Sequence, residues 1–129
     1  MSYNPNFDID LEFGQVYEEK IKKLLESKGK IEVKTERDTW LKTGNIAIEY
    51  RCRGKKSGIA RTKADWWFHV LTIDGIMVGM VCFPVSKLRL IMRALKDKGV
   101  ARKVMGGDDN ASEMLLVPLK ELYSQEFYK

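Results

Sequence analysis

The sequence predicts an α+β, mixed α/β layer fold, and three observations carry that expectation. Apolar residues recur at helical spacing over residues 11–27 and again over 86–98. Between and after these stretches lie runs that alternate apolar and polar side chains, bounded by glycine and proline. The resulting order is helix, several strands, helix, strand, which packs helices against sheet around one core. A chain of 129 residues suits a single domain over 1–129.

In the first helix Asp10 is the expected N-cap, Phe13, Val16, Tyr17, Leu24 and Leu25 form the apolar stripe, and Gly29 ends the element. "KIEVKTE" follows as a strand, with Ile31 and Val33 on one face and Glu32 and Lys34 on the other. "KTGN" makes a turn, and "NIAIEYRCR" alternates Ile46, Ile48 and Tyr50 against Ala47, Glu49 and Arg51. These two strands are expected to pair as antiparallel neighbours with their polar faces on the same side. "GKKSGIART" is a basic loop, after which Thr62 and Asp65 are expected to cap a short helical turn. "WWFHVLTI" and "IMVGMVCF" read as a hairpin about Asp74-Gly75, closed by Pro84. Ser86 is expected to cap the second helix, with Leu88, Ile91, Met92 and Leu95 as its inner stripe and Gly99 as its stop. "GGDDNAS" is turn-rich, "EMLLVPL" is the last strand, and "LKELYSQEF" reads as a short closing helix.

Composition narrows the function classes. No apolar run approaches the ~20 residues a membrane span needs, and "MSYNPNFDID" lacks the charged-then-apolar pattern of a signal peptide. Cys52 and Cys82 share no metal-ligand spacing and read as free thiols in a reducing, cytoplasmic compartment. With His69 as the single histidine, a zinc site or a Ser-His-Asp triad is hard to build, and His69 in "WWFHV" reads as a strand residue. Trp66 and Trp67 read as core and interface, and "GGDDN" as turn chemistry rather than a metal loop.

The net charge of +5 is unevenly spread. Between Lys42 and Lys63 seven basic residues face one acid, Glu49. A basic stripe in one segment is the footprint of a polyanion partner, above all nucleic acid. Arg51, Arg53, Lys55, Lys56, Arg61 and Lys63 are the candidate contacts to backbone phosphate, with Ser57 and Thr62 in support. The competing reading is a solvated hairpin tip on a basic protein.

Three Glu-x-Lys triplets occur, Glu18-Glu19-Lys20, Glu26-Ser27-Lys28 and Glu32-Val33-Lys34. On a helix, residues two apart diverge by about 200° and cannot share a ligand. Only Glu32 and Lys34 lie on a strand, where that spacing points both side chains the same way. A phosphodiesterase needs hard oxygen ligands for a divalent cation and a cation to steady the developing charge, and those ligands must come from more than one element. Glu49 offers one from the following strand. Glu18, about 20° beyond Leu25 at the edge of the first helix's stripe, offers another, whereas Glu19 faces solvent. The plain alternative makes Glu32, Lys34, Glu49 and Arg51 ordinary cross-strand pairs.

A helix bearing a glutamate, then a strand reading "IEVK", beside a basic segment, resembles the PD-(D/E)XK nuclease superfamily. More narrowly, "IEVKTERDTWLKTGNIAIEY", "SGIARTKADWW" and "GGDDNASEMLLVP" look like a group of small phage-encoded members similar in size to Holliday-junction resolvases. The resemblance runs from about Phe13 to Leu119. It implies a restriction-endonuclease-like core, a central mixed sheet flanked by helices, in a Mg²⁺- or Mn²⁺-dependent DNA endonuclease that acts as a homodimer on branched DNA. The compartment it implies is the cytoplasm of a bacterial host. By position, Glu32 and Lys34 match the family's acidic residue and lysine, and Glu18 matches the glutamate many members carry on the first helix. The family's preceding Asp is missing, because only "ESKGK" separates the helix from "IEVK". Two repairs stay open. Either Glu49 completes a metal site with Glu18 and Glu32, or Glu32 replaces the Asp and Glu49-Tyr50-Arg51 is an E-x-R form of the motif. Asp38 is a reserve ligand. If neither repair holds, the chain is a decayed nuclease fold that only binds DNA.

Overall fold

The computed structural model describes residues 5–128, with side chains from residue 11 onward. In chain order the elements are helix α1 (Pro5–Glu26), strand β1 (Ile31–Glu36), short helix α2 (Thr39–Thr43), strands β2 (Asn45–Cys52) and β3 (Lys55–Lys56), and short helix α3 (Gly58–Arg61). Then come β4 (Trp66–Ile73), β5 (Ile76–Pro84), helix α4 (Val85–Asp97), β6 (Arg102–Gly106) and β7 (Ser112–Pro118). Two 3-10 turns, Leu119–Glu121 and Gln125–Phe127, stand where a closing helix is expected.

The strands form two sheets among the described residues. One has the order β1-β4-β5, with β1 parallel to β4 and β5 antiparallel to it. The other, β3-β2-β7-β6, is antiparallel throughout. The architecture is therefore mixed α+β, with strands divided between two sheets. β1 and β2, expected to pair, sit in different sheets.

The core explains why the sheets stay together. Leu88, Ile91, Met92 and Leu95, the inner stripe of α4, are buried with Ile46, Ile48, Leu115 and Val117 of the second sheet and with Trp67 and Phe83 of the first. One amphipathic helix thus closes both sheets, which is the packing its 3.6-residue period dictates. The β4–β5 turn follows its sequence: Asp74 and Gly75 both take positive φ, 50° and 77°, as a tight two-residue hairpin requires.

Other local expectations are corrected. α1 begins at Pro5, so Asp10 lies inside it rather than at its cap. "KTGN" is the end of α2 and its left-handed Gly44 cap. Pro84, not Ser86, precedes the first residue of α4. Thr62 and Asp65 cap no helical turn; the Thr62 hydroxyl instead accepts the Ala64 N–H at 3.2 Å. β6 is an additional strand at the edge of its sheet, with only half-buried Val104 and Gly106 to mark an inner face.

Candidate functional site

Register fixes which residues of β1 and β4 share a face. Glu32, Lys34 and Glu36 stand opposite Trp67, His69 and Leu71 of β4. Cross-strand partners share a face, and Trp67 and His69 are both buried. On that side Glu32 and Glu36 are half-buried, while Lys34 is exposed. Ile31 and Val33, the apolar side of the alternation, share the other face with Trp66 and Phe68, and Val33 is 55% exposed.

At the end of that row stands Glu36. Its carboxylate oxygen Oε1 accepts the His69 Nε2–H at 2.9 Å and the Ala47 backbone N–H of β2 at 2.6 Å. His69 Nδ1 accepts the indole N–H of Trp67 at 3.0 Å, which leaves Nε2 as the donor toward Glu36. His69 is 2% exposed, so the chain Trp67–His69–Glu36–Ala47 is a polar strut through the junction of the two sheets. The Thr72 hydroxyl bonds the Glu36 carbonyl at 2.6 Å, and the Trp40 indole of α2 bonds the Thr72 carbonyl at 2.8 Å. Polar groups in a buried region persist when each finds a partner, and here they do.

The strut also sets the path of β2. That strand starts beside the C-terminal end of β1, where Ala47 meets Glu36. It ends against α3, where Gly58 lies on the Glu49 carbonyl. The chain then passes Thr62 to Asp65 and Trp66, whose N–H groups both bond the Lys30 carbonyl at 2.9 Å, just before β1 begins. β1 and β2 thus meet at Glu36 and Ala47 without a ladder between them. A side-chain carboxylate does the joining that backbone pairing was expected to do.

Gly58 is tightly held. A β-carbon there would stand 2.1 Å from the Glu49 carbonyl oxygen, and its φ is 49°. The neighbouring Ser57 N–H bonds the Tyr50 carbonyl at 3.1 Å, while the Ser57 Oγ is buried without a hydrogen-bond partner among the described residues.

The expected site residues lie on α1, β1 and β2. Glu32 on β1 and Glu49 on β2 are half-buried, and Lys34, on the same face of β1 as Glu32, is exposed. Among the described residues none of the three makes a side-chain ion pair. Glu18 is exposed on α1, which meets the first sheet at Trp66, on the face away from the Glu32 row. Among the described residues Glu18 makes no ion pair. Among the described residues no group of three or more His, Cys, Asp or Glu side chains is close enough together to hold a metal ion. The Asp38 carboxylate accepts the Asp74 N–H at 3.1 and 3.2 Å.

The basic residues are distributed as follows. Arg51 pairs with Glu113 at 3.5 Å and Arg53, in the β2–β3 turn, with Asp109 at 3.5 Å. Lys55 and Lys56 are exposed on β3, Arg61 on α3 and Lys63 just after it. Glu113 also accepts from Lys103 at 2.6 Å; that hydrogen bond holds the Glu113 carboxyl below its usual range and the Lys103 ammonium above its own.

Glu36 and His69 were missed as site-building residues. Their partners lie 11 and 33 residues away, beyond any local pattern. Searches of protein-family models, curated proteins and solved structures find no match to the chain.

Proposed function

We propose that the protein is a divalent-metal-dependent DNA endonuclease whose site is formed by Glu32 and Lys34 on β1 and Glu49 on β2. The observation that carries this reading is the Glu36 strut, which ties β2, the strand of Glu49, to the strand that bears Glu32 and Lys34. The donor chemistry fits: Glu32 and Glu49 supply hard oxygens, and the unpartnered Ser57 hydroxyl adjoins the Glu49 strand. Mg²⁺ commonly takes one or two protein carboxylates and completes its shell with water and substrate phosphate, which Glu32 and Glu49 suffice to provide. Bound there, Mg²⁺ or Mn²⁺ supplies charge neutralisation at the phosphate and a more acidic water. Glu32 and Glu49 hold the ligand positions, and Lys34 directs a positive charge at the phosphate oxygens as negative charge grows on them. Lys55, Lys56, Arg61 and Lys63, with Arg51 and Arg53 in their ion pairs, hold the DNA backbone.

Branched DNA, such as a Holliday junction, is the substrate class the family resemblance implies. Symmetric cutting of a junction requires two sites and hence a homodimer. The uncovered stripe of α1, with Phe13, Tyr17, Ile21 and Leu25 all exposed, supports an assembly of that kind. Two free thiols accord with work in a reducing cytoplasm. No helix among the described residues is long and apolar enough to cross a membrane.

A second reading, a DNA-binding module without cleavage, is favoured by the absence of a three-carboxylate cluster among the described residues. The test is cleavage of labelled four-way junction, flap and duplex DNA with Mg²⁺, Mn²⁺ or EDTA, wild type beside Glu32→Ala. Metal-dependent cutting lost in the variant, with binding retained, is the nuclease outcome. Salt-sensitive binding with no cutting of any substrate is the binding-module outcome.

A further inference from the structure

The solvent side of α4 carries a feature outside the Glu32 site. Arg89, Arg93 and Lys96 are spaced i, i+4, i+7 and so share one helix face. With Lys56 of β3 they line a cleft of about 450 Å³ between α4 and the β2–α3 segment. Its floor is apolar, including Ile59 and Met92, and no Asp or Glu lines it. Arg89 is held in place, its Nε donating to the Ile59 carbonyl at 2.8 Å and its Nη2 to the Thr62 carbonyl at 3.0 Å. The Lys96 ammonium sits 5.4 Å from the centre of the Tyr50 ring. Among the described residues, Lys56 and Arg93 have no ion-pair partner. Glu113, the acid whose carboxyl Lys96 helps hold low, is already engaged by Lys103 and Arg51.

Four cations around a concavity without a carboxylate repel one another, and low-dielectric walls focus their field outward. The arrangement is complementary to an anion of high charge density. Its open form and the exposed Lys55, Arg61 and Lys63 of the same segment suit a charged chain passing across it rather than an enclosed small molecule. We propose that this cleft is a seat for backbone phosphate of the DNA, gripped by Lys56, Arg93 and Lys96, with Arg89 as a fixed cation at its wall. This rests on the reading above that DNA is the ligand. Tyr50 follows Glu49 on β2 and points to the core side with Ile46 and Ile48, so the seat lies across β2 from Glu49. It holds the strand without touching the reacting phosphate.

The experiment is fluorescence anisotropy of labelled duplex and four-way junction DNA in EDTA over a salt series. It compares wild type, Arg93→Ala/Lys96→Ala, Arg93→Lys/Lys96→Arg and, as a control for loss of any surface charge, Lys120→Ala. Each phosphate contact removed lowers the slope of log affinity against log salt by about 0.9 and weakens binding about tenfold at low salt. The double alanine variant is expected to lose close to two units of slope, the charge-preserving variant to keep most of both slope and affinity, and Lys120→Ala to match wild type. Circular dichroism establishes that each variant is folded. A folded double alanine variant with wild-type slope and affinity overturns the proposal, as does a wild type that binds no DNA. Should Glu32→Ala still cut while the double variant loses slope, the carboxylate assignment fails and the phosphate seat stands.

Discussion

Glu36 joins three strands and both sheets through one side chain. One carboxylate oxygen satisfies a buried imidazole and a backbone N–H from the other sheet. Glu36→Ala strands both donors, and leaving a buried donor unpaired costs about 1–3 kcal/mol each. We expect that variant to lose about 2–5 kcal/mol in urea unfolding. Glu36→Gln keeps a carbonyl oxygen able to accept both bonds and is expected to lose about 1 kcal/mol. Equal losses in the two variants would mean that Glu36 acts through its charge alone. Glu113 gives a pH prediction. Its pKa is lowered in the folded state, first by the Lys103 hydrogen bond, so its contribution is present at neutral pH and lost as pH falls through the folded-state value. The Lys103 pKa is raised, so its contribution is lost at the alkaline end instead. The stability difference between wild type and Glu113→Gln should be flat near neutrality and shrink in acid; a difference unchanged in acid contradicts the pairing. At this scale the sequence reveals Glu32 and Lys34 by their strand spacing. It hides Glu36, because a strut between sheets has no local signature.

Among the elements, α3 exerts control on the candidate site through Gly58. Alanine there meets the Glu49 carbonyl at 2.1 Å and requires a positive φ, so either α3 lifts or β2 shifts. Gly58→Ala is expected to cost about 2–4 kcal/mol, combining left-handed strain with the clash. Gly54→Ala has φ 77° and open space around it, and should cost only about 1 kcal/mol. Thermal melts of the two variants check this, and similar melting shifts would mean that α3 does not press on Glu49. The elements differ in how far sequence exposes them. α4 was legible because a stripe of four buried residues at helical spacing leaves little alternative, and its basic face follows from the same spacing. The β4–β5 hairpin was legible through Asp74-Gly75. β6 was not, since an edge strand reading Arg-Lys-Val-Met-Gly has almost no buried face to generate alternation. β1 is the instructive failure. Alternation correctly separates Glu32 and Lys34 from Ile31 and Val33, but it does not say which side meets the core. Here each side mixes half-buried and exposed residues, Glu32 and Glu36 with Lys34 on one, Ile31 with Val33 on the other.

Across the whole molecule, exposed apolar residues on β1, β5 and α1 raise one question of assembly. Val33, Val78 and Met80 on β1 and β5 are about half exposed, as are Phe13, Tyr17, Ile21 and Leu25 on the helix. α1 borders a crevice shared with Asp65 and Trp66. Contiguous apolar surface of this kind marks an interaction site, and the homodimer reading requires one. Sedimentation is expected to give twice the chain mass for wild type and a shift toward monomer in Ile21→Ser/Leu25→Ser. A monomer at every concentration for wild type would remove the two-site model of junction cutting. The divided basic charge belongs to the same scale: the Lys42–Lys63 segment marked a polyanion partner in sequence, whereas its convergence with α4 required the fold. The central claim is that Glu32 and Glu49 form a metal-dependent phosphodiesterase site, and one comparison tests it most directly. Wild type and Glu32→Ala are incubated with labelled four-way junction, flap and duplex DNA in Mg²⁺, Mn²⁺ or EDTA, and product is followed on a denaturing gel. Cutting by wild type in Mg²⁺ or Mn²⁺, none in EDTA, and at least a hundredfold less in the variant at equal DNA occupancy is the expected result. DNA bound by both proteins and cut by neither, under any metal, would contradict it.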